Sequence, residues 1–308
     1  MRILIAGPND GQTFNYIFDE CKQLNHEVIM HDVRKEPIRL LEASDSFNPD
    51  VIIASRTISM LHDWLHIKRH RKYVKLVCWN VDKRNSVKEF GSLLQLFNEA
   101  HLFYTIALGN VEQYRQLCPD TKVGWLQQGC KTQVHSLYTL TSQDHDSYDC
   151  DVMFDGHYPS PVHQHRNTLI ASLLHSCEKS GLRFKHYSQQ HGTAIYDAEY
   201  AKACQCSKVC LSTNGWANLP LSMSVRVYKI MGSGGICLEE YCEGINEWLG
   251  GWCFTYKSKE ECWDWIEKLV KIPEVEREKQ RVLISKYTYA NHTYKHRVEK
   301  ILEDVAKL

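Results

Sequence analysis

The stretch "SMSVRVYKIMGSGGICLEEY" (residues 222–241) decides how this chain is read. Two serines precede an amphipathic segment with Arg226 near its start. A cluster of small residues, 232–235, then interrupts it before the apolar run "ICLEEY". Ser222 or Ser224 suits a helix N-cap. The glycines, Gly234 and Gly235 among them, suit a sharp helix stop and a close approach of backbone. The pattern predicts a helix, a tight turn and a strand that brings Glu239 and Glu240 to its carboxyl end. A cation in the first turn of a helix opposes the dipole unless it serves an anion held by the same amides, and a planar guanidinium matches phosphate oxygens. A capped helix with a surface-paired arginine uses the same residue types.

The rhythm of this stretch extends in both directions. Upstream, "RILIAG" (2–7), "EVIMHD" (27–32), "DVIIAS" (50–55), "KLVCWNVD" (75–82), "HLFYTIA" (101–107) and "VGWLQQG" (123–129) read as short strands. Helical spacings lie between them, such as Phe14, Ile17, Phe18, Cys21 and Leu24. A polar run, "LTSQDHDSYDCD" (140–151), breaks the pattern and reads as a linker. A second series follows: "DVMFDG" (151–156), "LRFKHYS" (182–188), "KVCLST" (208–213), "ICLEEY" and "WCFTYKS" (252–258), then helical segments. Strands that alternate with helices imply parallel βαβ units. The expected fold class is therefore α/β, with two doubly wound domains. The first spans 1–140 plus a tail helix at 289–308, and the second spans 151–288. Ligands of open α/β sheets bind beyond the carboxyl ends of the strands, so two such sheets facing across a hinge predict a cleft site.

A chain of 308 residues accommodates two such cores. Lys+Arg and Asp+Glu balance at 37 each, which removes any global electrostatic case for nucleic acid or membrane surface. The basic run "KRHRK" (68–72) is a local exception. It reads as a dipole-compensating helix end or as a contact for an anionic acceptor. Thirteen cysteines are scattered along the chain, and "MRILIAG" runs straight into a strand pattern. Reduced core thiols in a cytoplasmic protein are expected. "CQCSKVC" (204–210) lacks nearby ligand pairs of finger spacing and reads as core thiols, not zinc. No run reaches the roughly 18 apolar residues of a spanning helix.

Other candidates lie where strands end. "GPNDGQ" (7–12) follows the first strand and either lines an acceptor site with Gly7, Asp10 and Gly11 or forms a plain turn. Asp10 is then a candidate base. "WNVDK" offers Asn80 and Asp82 as acceptor contact or base. "GHYPSP" offers Gly156 and His157, and "STNGW" offers Asn214, as contacts to the anionic ligand or its substituent. Arg166 reads as a supporting residue.

"SVRVYKIMGSGGICLEEYCEGINEWL", "CFTYKSKEECWDWIEKLV" and "YTYANHTYKHRVEKIL" together resemble the C-terminal half of the CgeB-like (spore-maturation-protein-like) glycosyltransferases, of the group-1 GT-B type. "VMFDGHYPSPVHQHRNTLIASLL", "LVCWNVDK", "HLFYTIALGNVEQYRQLC" and "WLQQGC" are similar to it more weakly. The matched positions are Arg226, Gly234, Gly235, Glu239, His292, Thr293, Tyr294, His296 and Arg297. The resemblance implies a GT-B fold of two Rossmann-like domains, with a C-terminal helix crossing back to the first. It implies transfer of a sugar from a nucleoside-diphosphate sugar, a UDP- or GDP-sugar, with no metal. Arg226 and amides near Ser222–Ser224 would hold the leaving diphosphate. The acceptor stays open among glycan, protein, small molecule and modified DNA; a non-catalytic sugar-nucleotide binder is the alternative. Lys229 stands where the related enzymes often place an acidic residue for the donor ribose. Lys229 cannot accept a hydrogen bond, so either Glu239 or Glu240 takes the ribose or Lys229 adds a phosphate contact.

Overall fold

A computed structural model describes residues 1–9, 12–36, 39–82, 84, 86–214 and 219–308. From the amino end, strands β1 (Arg2–Gly7), β2 (Glu27–Asp32), β3 (Val51–Ala54), β4 (Lys75–Asn80), β5 (Leu102–Thr105) and β6 (Lys122–Trp125) alternate with helices. Those helices are α1 (Thr13–Gln23), α2 (Leu40–Phe47), α3 (Leu61–His70), α4 (Leu93–Asn98) and α5 (Val111–Leu117). There follow α6 (Ser142–Tyr148), β7 (Cys150–Asp155), α7 (Gln164–Lys179), β8 (Phe184–Tyr187), α8 (Asp197–Cys206), β9 (Ser207–Ser212) and α9 (Val225–Gly232). The chain then forms β10 (Cys237–Glu240), α10 (Ile245–Trp248), β11 (Phe254–Tyr256), α11 (Lys259–Leu269), α12 (Glu274–Asn291) and α13 (Tyr294–Val305).

These elements divide into two compact units. Unit 1 is Met1–Gln128 with Tyr294–Leu308, and unit 2 is Gly129–Thr293. The polar run 140–151, expected to be a linker, folds inside unit 2. Its residues form a capping box: the Thr141 hydroxyl accepts from the Asp144 N–H, and the Asp144 carboxylate accepts from the Thr141 N–H at 2.9 Å. A reciprocal pair of this kind satisfies two helix-start amides, so a polar composition becomes the start of α6.

Among the described residues, unit 1 has a six-stranded sheet in the order β2-β1-β3-β4-β5-β6 with every pairing parallel. Its inner strands β1, β3, β4 and β5 are buried on both faces, which is why they read as continuous apolar runs instead of alternating ones. One face of the sheet packs Phe14, Ile17 and Cys21 of α1 together with Tyr294, Val298, Ile301 and Val305 of α13. Tyr294 has no exposed surface; its ring tilts against Tyr16 at 5.3 Å, and its hydroxyl lies 3.1 Å from the Thr13 hydroxyl.

Among the described residues, unit 2 has a five-stranded parallel sheet in the order β11-β10-β9-β7-β8. Its core gathers Val152, Phe154, Ile170, Leu211, Tyr228 and Ile266. Helix α12 contributes two almost fully buried arginines. Arg277 donates to the carbonyls of Lys208 at 3.1 Å and Ile272 at 2.6 Å, and Arg281 to those of Cys204 and Ser207. Buried guanidinium groups persist only when so satisfied. All thirteen cysteines are buried free thiols, in keeping with the core-thiol expectation. No described helix is long and apolar enough to cross a membrane.

Candidate functional site

In unit 2, β7 and β9 pair side by side, and the chain leaves β7 toward β8 on one side and β9 toward β10 on the other. This reversal of strand order makes the carboxyl ends of β7 and β9 a topological switch point, the standard ligand position of open α/β sheets. Asp155 and Gly156 come from the β7 end, Ser212, Thr213 and Asn214 from the β9 end, and Glu239 and Glu240 from the β10 end.

Helix α9 starts beside these ends. Ser224, with φ −71° and ψ 147°, is its N-cap, and its hydroxyl accepts from the Arg226 N–H at 3.3 Å. The Ser224 carbonyl takes the Val227 N–H at 3.2 Å. Two first-turn amides are thus already occupied, which moves the weight of anion binding onto the Arg226 side chain. Ser222 is not the cap. It is wholly buried and accepts from the Leu219 N–H at 3.1 Å, so it shapes the preceding turn.

The Arg226 guanidinium donates to the Thr213 carbonyl at 3.1 Å and lies 5.4 Å over the Phe154 ring. A Cβ added at Gly156 would lie 3.3 Å from Arg226 Nη2 and 3.1 Å from Phe154 Cζ, so only glycine leaves this space to the arginine. The Thr213 hydroxyl accepts from Arg166 Nε at 3.0 Å. Two guanidinium groups therefore meet one threonine. Burial, and then the charge of Arg226, hold the Arg166 guanidinium down at about 10. Burial pushes the Asp155 carboxyl up, against the pull of Arg226, Lys229, His186 and His157. Lys229 lies half-buried on the same helix, three residues after Arg226. Arg166, Thr213 and Asp155 are the contributions that sequence reading left out or made merely supporting.

The other candidates divide. His157 is exposed on the loop after β7, and the neighbouring Gly156 carbonyl is 2.7 Å from His186 Nε2. The Asn214 N–H donates to Glu240 Oε2 at 2.9 Å, which fixes the partly exposed Glu240 at the strand end, whereas Glu239 has no exposed surface. Gly234 and Gly235, expected at the ligand, serve packing instead. Gly234 has φ +73°, and a Cβ there would meet Leu137 at 2.5 Å; at Gly235 it would meet Ile230 at 2.8 Å and Cys210 at 2.9 Å. Their amides return to Met231 and Ile230 carbonyls at 3.0 and 2.8 Å, a glycine-terminated helix end.

In unit 1, Gly7 closes β1, and a Cβ there would overlap the Phe14 ring at 2.3 Å, so its smallness serves α1 packing. Asn80 has no exposed surface. It donates to the Tyr114 hydroxyl at 3.3 Å and accepts from the Asp82 N–H at 3.2 Å, so this expected acceptor contact is a structural turn residue. Asp82 pairs with Arg56. Asp10 and Gly11 lie outside the described residues, as does Trp216. In the basic run, Lys68 pairs with Glu99 at 2.9 Å and Arg71 with Asp45, as a charge-compensated helix end does. The segment matched to the late family motif is internal too. His292 is ringed by Tyr228, Trp248 and Tyr287, and Arg297 donates to the Gln128 carbonyl at 3.1 Å.

Residues 164–303, just under half of the chain, match the family described as glycosyl transferase-like. No curated protein matches the chain significantly in sequence. Solved structures match over the whole length. Sucrose-phosphate synthase from Thermosynechococcus elongatus aligns at TM-score 0.67 and 7% identity, covering 99% of this chain and 98% of that one. Anabaena Alr3699/HepE in complex with UDP-glucose aligns at 0.64 and 12%, covering 100% of both. An alpha,alpha-trehalose-phosphate synthase (UDP-forming) from Burkholderia vietnamiensis aligns at 0.64 and 8%, also covering 100% of both. At these identities the likeness establishes the fold. Two parallel α/β units, a glycosyl transferase-like match that takes in Arg166, Thr213 and Arg226, and these full-length alignments identify the architecture as GT-B.

Proposed function

We propose that the chain is a glycosyltransferase of the CgeB-like kind, which moves a sugar from a nucleoside-diphosphate sugar to an acceptor hydroxyl or amine. The observation that carries this reading is the convergence of Arg226 and Arg166 on Thr213 at the β7/β9 switch point, inside the residues that match the glycosyl transferase-like family. When the glycosidic bond to the nucleotide breaks, negative charge grows on the departing diphosphate. Prepositioned cations lower the barrier because they are oriented before that charge appears. Arg226 is the group that touches the diphosphate; Arg166 holds Thr213, and through it the Arg226 guanidinium, in place. Lys229 supplies further positive charge, so the chain provides without a divalent ion the charge that the step requires. Glu240, fixed by Asn214 and partly exposed, accepts from the ribose hydroxyls, the part that Lys229 cannot play. UDP-glucose in the Anabaena neighbour makes UDP-sugars the first donors to try.

The test is thermal-shift screening with UDP, GDP, ADP, CMP and their sugar conjugates, on the wild-type protein and on Arg226→Ala. A ligand at 100 times its Kd stabilises by about 2.7 kcal/mol, a shift of several degrees in a chain of this size. The matching donor should raise the wild-type Tm and leave Arg226→Ala nearly unmoved, with turnover about 10²- to 10³-fold lower in the variant. No shift with any nucleotide, or equal kinetics in the two proteins, would overturn the proposal. A shift without transfer to any acceptor would instead favour the non-catalytic binder, a reading that the lysine at position 229 supports.

A further inference from the structure

The amino ends of β7 and β9 carry a second constellation, on the opposite edge of the sheet from the switch-point residues. The register pairs Cys150 with Ser207, which sets the residues just before them, Asp149 and Cys206, side by side. His145 lies on α6, four residues before Asp149, which caps the carboxyl end of that helix. One ligand atom from each of His145, Asp149 and Cys206 lies within 4.8 Å of the others, and His145 Nδ1 is 2.9 Å from Asp149 Oδ1.

The frame around the trio is rigid. The Thr141 capping box fixes the start of α6. Lys202 on α8 donates to Asp144 Oδ1 at 2.9 Å, and the Cys206 thiol lies 3.7 Å from the Asp144 carbonyl. All three side chains line a cavity of about 550 Å³ within unit 2, which leaves room for a further ligand. The C-x-C-x3-C spacing of Cys204, Cys206 and Cys210 gave no metal reading in the sequence because Cys206 takes its neighbours from residues almost sixty positions upstream.

We propose that His145, Asp149 and Cys206 form a divalent-cation site of the zinc type, with its fourth position open to the cavity. Imidazole, carboxylate and thiolate are the ligand set that this borderline-soft ion accepts. Tetrahedral ligands around zinc sit about 3.3–3.6 Å apart, so small side-chain rotations close the trio around an ion. A neutral imidazole, one carboxylate and one thiolate leave the loaded site with no net charge. A thiolate ligand must give up its proton to solvent when the ion binds, so binding tightens as pH rises. A bound ion would fasten α6, β7 and α8 together at the base of unit 2.

The full-length protein, stripped with a chelator and dialysed, would be titrated with Co²⁺ and then Zn²⁺. One equivalent of Co²⁺ should give tetrahedral visible bands and a thiolate-to-cobalt charge-transfer band, both displaced by Zn²⁺. Cys206→Ser should lose the charge-transfer band. His145→Ala, at an exposed position and so safe for folding, should weaken binding by more than the roughly 10- to 100-fold expected of a mere outer partner. Arg226→Ala should bind Co²⁺ as the wild type does, which separates this site from the nucleotide reading. Absence of the bands in the wild type would overturn the proposal. So would bands that persist unchanged in Cys206→Ser, or wild-type affinity in His145→Ala.

Discussion

Gly156 and Arg226 share one space: a methyl group on the glycine would stand 3.3 Å from the arginine's Nη2. The loop after β7 and the start of α9 are therefore fitted to each other, and a change in the first should be felt through the second. Gly156→Ala should displace the guanidinium and lower kcat/KM by about 10- to 100-fold, the usual cost of moving a catalytic group by a fraction of an ångström to an ångström. Steady-state kinetics beside a melting curve would check it. Unchanged kinetics would mean that the position of Arg226 does not matter to turnover.

Glu240→Gln keeps an acceptor for the Asn214 N–H, now 2.9 Å away, and removes only the negative charge. The nucleotide sugar should then bind about tenfold more weakly, since a charge-assisted bond to the ribose is replaced by a neutral one. A 2′-deoxynucleotide analogue should bind the two proteins equally. A loss of the same size with both ligands would show that Glu240 does not serve the ribose.

His135 gives a pH dependence. It is 1% exposed, and its Nδ1 accepts from the Lys131 N–H at 3.0 Å, so the folded state holds the ring neutral. Burial first, then Lys229 and Lys131, hold its pKa well below the ordinary 6.5. Below about pH 6.5 the unfolded chain gains a proton that the folded chain refuses, so stability falls by up to about 1.4 kcal/mol per pH unit from this group. His135→Gln should lose less stability than wild type between about pH 7.5 and pH 5. Urea unfolding at the two values measures it, and equal losses would discard the assignment.

Much of this architecture was legible in the sequence. Parallel strands buried on both faces announce themselves as short apolar runs, and Arg226 stood out because a cation in a first helical turn asks for an anion. Arg166 and Thr213 did not stand out. They lie 47 residues apart and meet only because β7 pairs with β9. Gly234, Gly235 and Asn80 show the opposite failure: a glycine reveals that space is needed, and an asparagine that a bond is needed, but neither names the partner. The partners here are Leu137, Cys210 and Tyr114. The polar run at 140–151 misled because capping residues and linker residues have the same composition.

The place of α13 in unit 1 bears on how the protein is made. Val298, Ile301 and Val305 complete a core that begins with Ile3 and Ile5, while unit 2 lies between them in the chain. A ribosome adding about 5–20 residues per second emits all of Gly129–Thr293 before the missing helix exists, a delay on the order of ten seconds. Throughout that interval α1 covers its share of this sheet face, but the part that Val298, Ile301 and Val305 cover waits exposed, a target for chaperones. A nascent chain stalled after Thr293 should show a protease-resistant unit 2 beside a protease-sensitive unit 1, and extension by residues 294–308 should abolish the difference. Equal resistance of both units in the stalled chain would show that unit 1 closes without α13.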